Sequence, residues 1–226
     1  MQLSLVVFDI DGTLVDSAAL IVENFAAAFA AVGLAPPSRD AVLAQVGLSL
    51  PVAMEVLMPE AGAETRSAAV VGYRDSALRL RAARGAASVP LFDGAKATLE
   101  ALAARPERLI GAATGMASPG LDHVLGVHDL HGLFVTRQTA DLHPSKPHPA
   151  MLEAALRETG VAEERAVMVG DTTFDMQMAA NASIAGIGVS WGHHGAEALR
   201  AAGARVVVDS FAALATAIDE IWEGTP

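Results

Sequence analysis

The chain has 226 residues, of which 52% are hydrophobic, enough to fill the core of one α/β domain or of a domain carrying an insertion. A formal net charge of −11 argues against a nucleic-acid or anionic-membrane partner, which needs clustered cationic side chains, and favours small diffusible substrates. Cysteine is absent, which excludes disulfides and thiol catalysis, and no cationic segment precedes the short apolar start, so a cytoplasmic location is expected.

In chain order, the first element is an apolar run over residues 3–8 that reads as a buried strand and ends in Asp9, Ile10, Asp11, Gly12 and Thr13. A carboxylate at the end of a buried strand is costly unless a metal or a reaction uses it, so Asp9 and Asp11 are the first candidates for chemistry. For a single Asp-Gly pair the plain alternative is an acidic turn. Residues 17–88 then carry helical signals with no strand-like run between them. Leu20, Ile21, Phe25, Phe29 and Val32 share a face that ends at Gly33. Ser38 fits the cap of a second helix stopping by Gly47, and further helices are expected over 52–57 and 65–81.

Apolar runs over 109–113, 133–136, 166–169, 184–189 and 206–208 alternate with helix-like segments. That rhythm predicts an α/β fold, a doubly wound parallel sheet formed by 1–16 and 89–226, with the helices of 17–88 inserted after the first strand. Ligands of such sheets bind beyond the carboxyl ends of the strands, where Asp9, Thr114 and Asp171 each follow directly on their runs.

The string DIDGT from Asp9 to Thr13, the pair Thr114-Gly115, Lys146 within SKPHP, and GDTTFD with Asp171 and Asp175 occur in the order of the four motifs of the haloacid dehalogenase superfamily. The chain resembles that superfamily over almost its whole length, and most members are magnesium-dependent phosphatases. The resemblance implies a Rossmann-like core, with 17–88 as a helical cap that closes over the site and selects substrate. It further implies that Asp9 attacks phosphorus to give an aspartyl-phosphate, while Asp11 serves as general acid and then as general base. Mg²⁺ would be held by Asp9, the Asp11 backbone carbonyl and Asp171, with Asp175 orienting a metal-bound water or the lysine. Lys146 would contact phosphoryl oxygens and the Asp9 carboxylate, and Thr114 with the Gly115 amide would bind the oxygens that gain charge. In the cap, Gln45 and Ser49 bracket the Gly47 break and are candidates for substrate contact. Arg74 is a third, suited to a carboxylate such as that of phosphoglycolate, although a helix arginine is as a rule solvated.

Within the superfamily, Asp11 argues for phosphate rather than a haloacid. The segment 17–88 has no lysine of the kind phosphonatases use for an imine, and Ile21 and Leu50 stand where sugar phosphomutases carry histidine and arginine. KPHPAM and VGDTTFDMQMAANA look most like the phosphoglycolate phosphatase branch, with two departures: Met116 replaces a basic residue, and Ser183 replaces a glycine. The expected function is therefore magnesium-dependent hydrolysis of a small phosphorylated metabolite. The alternatives are a phosphoacceptor signalling module, a catalytically silent binding protein, and within the superfamily a pyrophosphatase or mutase; a general base at Asp11 speaks against a long-lived signalling acyl phosphate. His123, His128 and His131 lack the common i, i+4 metal spacing, His193 and His194 have no carboxylate or cysteine companion nearby, and all five read as solvated loop residues. GIGVSWG over 186–192 misplaces its third glycine for a dinucleotide fingerprint, so NAD is not expected.

Overall fold

The computed structural model describes residues 2–223. Its strands are β1 (Ser4–Phe8), β2 (Arg108–Thr114), β3 (Phe134–Thr139), β4 (Ala166–Gly170), β5 (Ala185–Val189) and β6 (Ala204–Val208). They form one parallel sheet in the order β3-β2-β1-β4-β5-β6. β1 and β4 are buried along their full length, and alternate residues feed opposite layers. Val6 and Phe8 pack with Leu99, Leu121 and Leu214 on one face, from α5 (Ala95–Ala103), α6 (Ser118–Val127) and α10 (Phe211–Glu223). Leu5 and Val7 pack with Met151 and Met178 on the other, from α7 (Ala150–Thr159) and α8 (Thr173–Asn181). α9 (Ala196–Ala201) lies between β5 and β6.

The run expected to end at 136 continues as β3 to Thr139, because β3 is an edge strand. Phe134, Thr136 and Gln138 point inward while Val135 and Arg137 are exposed, a period of two that a search for continuous apolar runs misses. Ser183, placed where the resembled sequences carry glycine, follows α8 with φ 58°, a left-handed conformation that glycine adopts without steric cost.

After β1 come α1 (Ala18–Ala31), α2 (Arg39–Leu43), α3 (Leu50–Leu57) and α4 (Ala63–Arg84), with no strand among them. The Ser38 hydroxyl accepts from the Ala41 amide at 3.2 Å and caps α2. α3 begins at Leu50 rather than 52, with Pro51 in its first turn, where a missing N–H costs nothing. α4 extends beyond the expected 65–81 at both ends. Ile21, Phe25, Phe29, Val42, Met54 and Ala69 form a third core cluster sharing no residue with the two sheet layers. Among the described residues, no helix is long and apolar enough to cross a membrane.

Candidate active site

β2, β1 and β4 are neighbours in the sheet, so Thr114, Asp9 and Asp171 emerge side by side at its carboxyl edge. β1 and β4 flank the point at which strand order reverses, the usual ligand crevice of a doubly wound sheet. The Asp9 amide donates to the Val169 carbonyl at 2.9 Å, which ties the first motif to the last strand before Asp171. Gly12 turns the chain with φ 79°, and a Cβ there would stand 2.3 Å from Asp171 Oδ2. That close approach brings the Thr13 hydroxyl to Asp171 Oδ1 at 2.9 Å.

Lys146 is fully buried between two carboxylates, with Nζ 2.8 Å from Asp9 Oδ1 and 2.6 Å from Asp175 Oδ1. Asp175 stands in the first turn of α8, where its Oδ2 accepts from the Thr172 amide and hydroxyl at 3.0 and 2.7 Å. It accepts a hydrogen bond from Lys146 and closes a capping box at the same time. The Lys146 approach to Asp9 is an ion pair without hydrogen-bond alignment, so both Asp9 oxygens are buried with no aligned donor.

Ligand atoms of Asp9, Asp171 and Asp175 lie within 4.8 Å of one another, and all three side chains are buried. Against three carboxylates stands one ammonium, which leaves two negative charges uncompensated if all are ionised. Burial pushes Asp9 up to about 7 despite Lys146, with Asp175 adding to the rise. Burial, then the charges of Asp9 and Asp175, holds Asp171 well above the usual carboxylate range. Burial opposes the Lys146 charge, but Asp175 and Asp9 outweigh it and raise the ammonium further. An all-oxygen, doubly negative, buried set with an undonated carboxylate fits a hard divalent cation.

Asp11 lies beside this cluster with its carboxyl facing the cavity and accepts a hydrogen bond from the Ser17 hydroxyl. Burial raises its carboxyl, opposed by Ser17 and by the charge of Arg81. A carboxyl held above its ordinary range is suited to carrying a proton at neutral pH. Thr114 is buried at the end of β2, and its hydroxyl accepts from the Met116 amide at 3.1 Å, shaping the turn at Gly115. A Cβ on Gly115 would meet the Leu48 and Gly47 carbonyls at 2.6 and 2.7 Å, so glycine lets the loop between α2 and α3 rest on this turn. The Ser49 amide donates to Ser145 Oγ at 2.8 Å, holding the same loop beside Lys146.

The helices and the sheet edge enclose a cavity of about 990 Å³ lined by Asp9, Asp11, Gln45, Ser49, Arg74 and Gly115, among others. Gln45 and Ser49 thus share a cavity with the aspartates. Arg74 also lines the cavity and is itself exposed. The sequence reading did not single out Asn24, Tyr73 and Arg81, which line the cavity from α1 and α4. His193 and His194, expected as solvated loop residues, are both half-buried at the site. The His193 amide donates to Asp171 Oδ2 at 2.8 Å, and His194 Nδ1 accepts from the Thr173 amide at 3.0 Å. Trp191 in the GIGVSWG turn donates to the Thr13 carbonyl at 3.1 Å, so this segment braces the first motif.

A family profile described as haloacid dehalogenase-like hydrolase matches residues 6–189. The chain is 34% identical over 209 residues to a probable phosphatase IndB of Dickeya dadantii (strain 3937), covering 92% of this chain and 90% of that protein. It is 33% identical over 222 residues to tyrosine-protein kinase PtkA of Mycobacterium tuberculosis, covering 97% of this chain and 71% of the relative. It is 31% identical over 216 residues to a phosphoglycolate phosphatase of Yersinia pestis, covering 94% and 92%. The crystal structure of a predicted phosphatase from Clostridium acetobutylicum superposes with a TM-score of 0.85 at 25% identity, covering 97% of this chain and all of that one. Profile, relatives and fold agree, and the chain belongs to the haloacid dehalogenase-like hydrolases.

Proposed function

We propose that this protein is a magnesium-dependent phosphatase that hydrolyses a small phosphorylated metabolite through an aspartyl-phosphate on Asp9. The observation that carries this reading is the Asp9 carboxylate: buried, paired with Lys146, within reach of Asp171, and beside a second carboxyl raised by burial. Asp9, Asp171 and the Asp11 backbone carbonyl would hold Mg²⁺, which when bound supplies neutralising charge to the phosphoryl group. An Asp9 oxygen forms a bond to phosphorus as the ester P–O bond breaks, and Asp11 gives its proton to the departing alkoxide. Asp11, now ionised, takes a proton from water as that water attacks phosphorus and frees Asp9. Lys146 holds Asp9 in place and offsets phosphoryl charge, and the amides around Thr114 and Gly115 face the oxygens that gain charge.

Residues 17–88 act in this reading as a cap on a core made of 1–16 and 89–226, since the helical unit has its own apolar cluster and meets the core where Gly115 and Ser145 lie. Phosphoglycolate, named for the Yersinia relative, is one candidate substrate. The test is phosphate release from 4-nitrophenyl phosphate after metal removal. Turnover is expected with added Mg²⁺ and not in excess EDTA; equal turnover in both overturns the reading.

A further inference from the structure

Two polar groups of the cavity are not used by the chemistry above. Arg81 is half-buried on α4, its Nε is enclosed, and no protein group among the described residues accepts a hydrogen bond from its guanidinium. No carboxylate lies within ion-pairing distance of it among the described residues. The guanidinium rests over the first turn of α6, where a Cβ on Gly120 would stand 3.0 Å from Nη2 and 3.5 Å from Nη1. Its charge acts on Asp11, Tyr73 and His123. Asn24 on α1 also lines the cavity, is 1% exposed, and has an Oδ1 that receives no donor.

A guanidinium stays charged at any ordinary pH, and a buried amide oxygen without a donor is destabilising, so both groups suit a ligand better than the resting fold. The cavity of about 990 Å³ is far larger than a two-carbon phosphate ester fills; volumes of this order enclose drug-sized ligands. Apolar side chains make up much of its wall, among them Leu20, Ile21, Phe25, Leu48, Leu50 and Met116. One guanidinium offers one bidentate face, which matches a single carboxylate. The other arginine of the lining, Arg74, is exposed, so no second enclosed arginine is present for a more highly charged group.

We propose that Arg81 and Asn24 form the leaving-group subsite, selecting phosphate monoesters of a bulky, largely apolar alcohol that carries a carboxylate for Arg81 and a hydroxyl or amide donor for Asn24. This deepens the phosphatase reading and rests on it. Arg81 thereby takes the carboxylate-binding role that the sequence suggested for Arg74.

The test compares kcat/KM for phenyl phosphate with that for its 2-, 3- and 4-carboxy derivatives, with Mg²⁺ present. In the wild-type protein at least one carboxylated isomer should be preferred tenfold or more. Arg81→Gln should bring that ratio to within about twofold of unity, Arg81→Lys should keep part of it, and Arg81→Glu should turn the preference toward 3-aminomethylphenyl phosphate. Adding a hydroxyl to the preferred carboxylated ester should improve it further in the wild type and not in Asn24→Leu. Wild-type hydrolysis of all the esters without discrimination overturns this proposal alone and needs no variant to fold. So does a ratio unchanged in Arg81→Gln. No hydrolysis of any of them overturns the phosphatase reading and this proposal with it.

Discussion

Lys146 is enclosed by Asp9 and Asp175, and removing its charge would leave three carboxylates facing one another in a buried site. Breaking one side of a buried ion pair typically costs about 3–5 kcal/mol. Lys146→Met should therefore lower stability by roughly that amount in EDTA, read by denaturant unfolding, and a loss below about 1 kcal/mol would contradict the arrangement. Asp11 presents a different case, because its partner Ser17 is a hydroxyl and the role proposed for it is proton transfer. Asp11→Asn should lower kcat for an alkyl phosphate by about 10²–10⁴, with a smaller loss for 4-nitrophenyl phosphate, whose leaving group needs no proton. Equal losses on both esters would remove Asp11 from the proton transfer. Asp9 and Asp11 were legible in the sequence because they sit within one short string at the end of an apolar run. Asn24, Tyr73 and Arg81 were not, since each is an ordinary helix residue until α1 and α4 are folded over the sheet edge.

The loop between α2 and α3 is one element that joins the helical unit to the carboxyl edge of the sheet. Its Gly47 and Leu48 carbonyls touch the Gly115 turn, so Gly115→Ala should push the loop away and lower kcat/KM by an order of magnitude or more. Gln45 contributes from the same loop, its side chain only weakly tied to the Ala41 carbonyl at 3.5 Å. Gln45→Ala and Ser49→Ala should reduce kcat/KM for the best metabolite much more than for a small aryl phosphate. Equal reductions would point to damaged closure instead, and no reduction would take the loop out of the specificity site. The helices of 17–88 could be anticipated because helix-period apolar faces followed one another without a strand run. The full length of β3 could not, because an edge strand keeps one polar face and its inward residues Thr136 and Gln138 are themselves polar.

For the molecule as a whole, strand order was beyond the sequence reading, because pairing between β1, β2 and β4 joins segments about 100 and 160 residues apart, and no local signal records it. Its consequence is electrostatic: it gathers the carboxylates of distant motifs in one buried place. Asp9 is pushed up to about 7 from an ordinary 3.8, and Asp171 and Asp11 are raised in the same sense, by burial in each case. The folded, metal-free protein thus binds more protons at these sites than the unfolded chain between about pH 4 and 7, so their contribution makes it less stable as pH rises through that window. Asp9→Asn removes one of these groups. In EDTA the variant should match the wild type near pH 3.5, gain on it steadily as pH rises, and exceed it at pH 7.5 by on the order of 2–4 kcal/mol, whereas Mg²⁺ should narrow the gap at pH 7.5. A variant that loses ground as pH rises would contradict this charge balance.

The nucleophile itself can be observed directly. With the Asp11→Asn variant, Mg²⁺ and phosphate-labelled 4-nitrophenyl phosphate, acid quenching within the first turnovers followed by peptide mass spectrometry should find an acyl phosphate on Asp9, and none when Asp9→Asn is introduced as well. Label on another residue, or a quench that never captures phosphate while nitrophenol is being released, would contradict the aspartyl-phosphate mechanism.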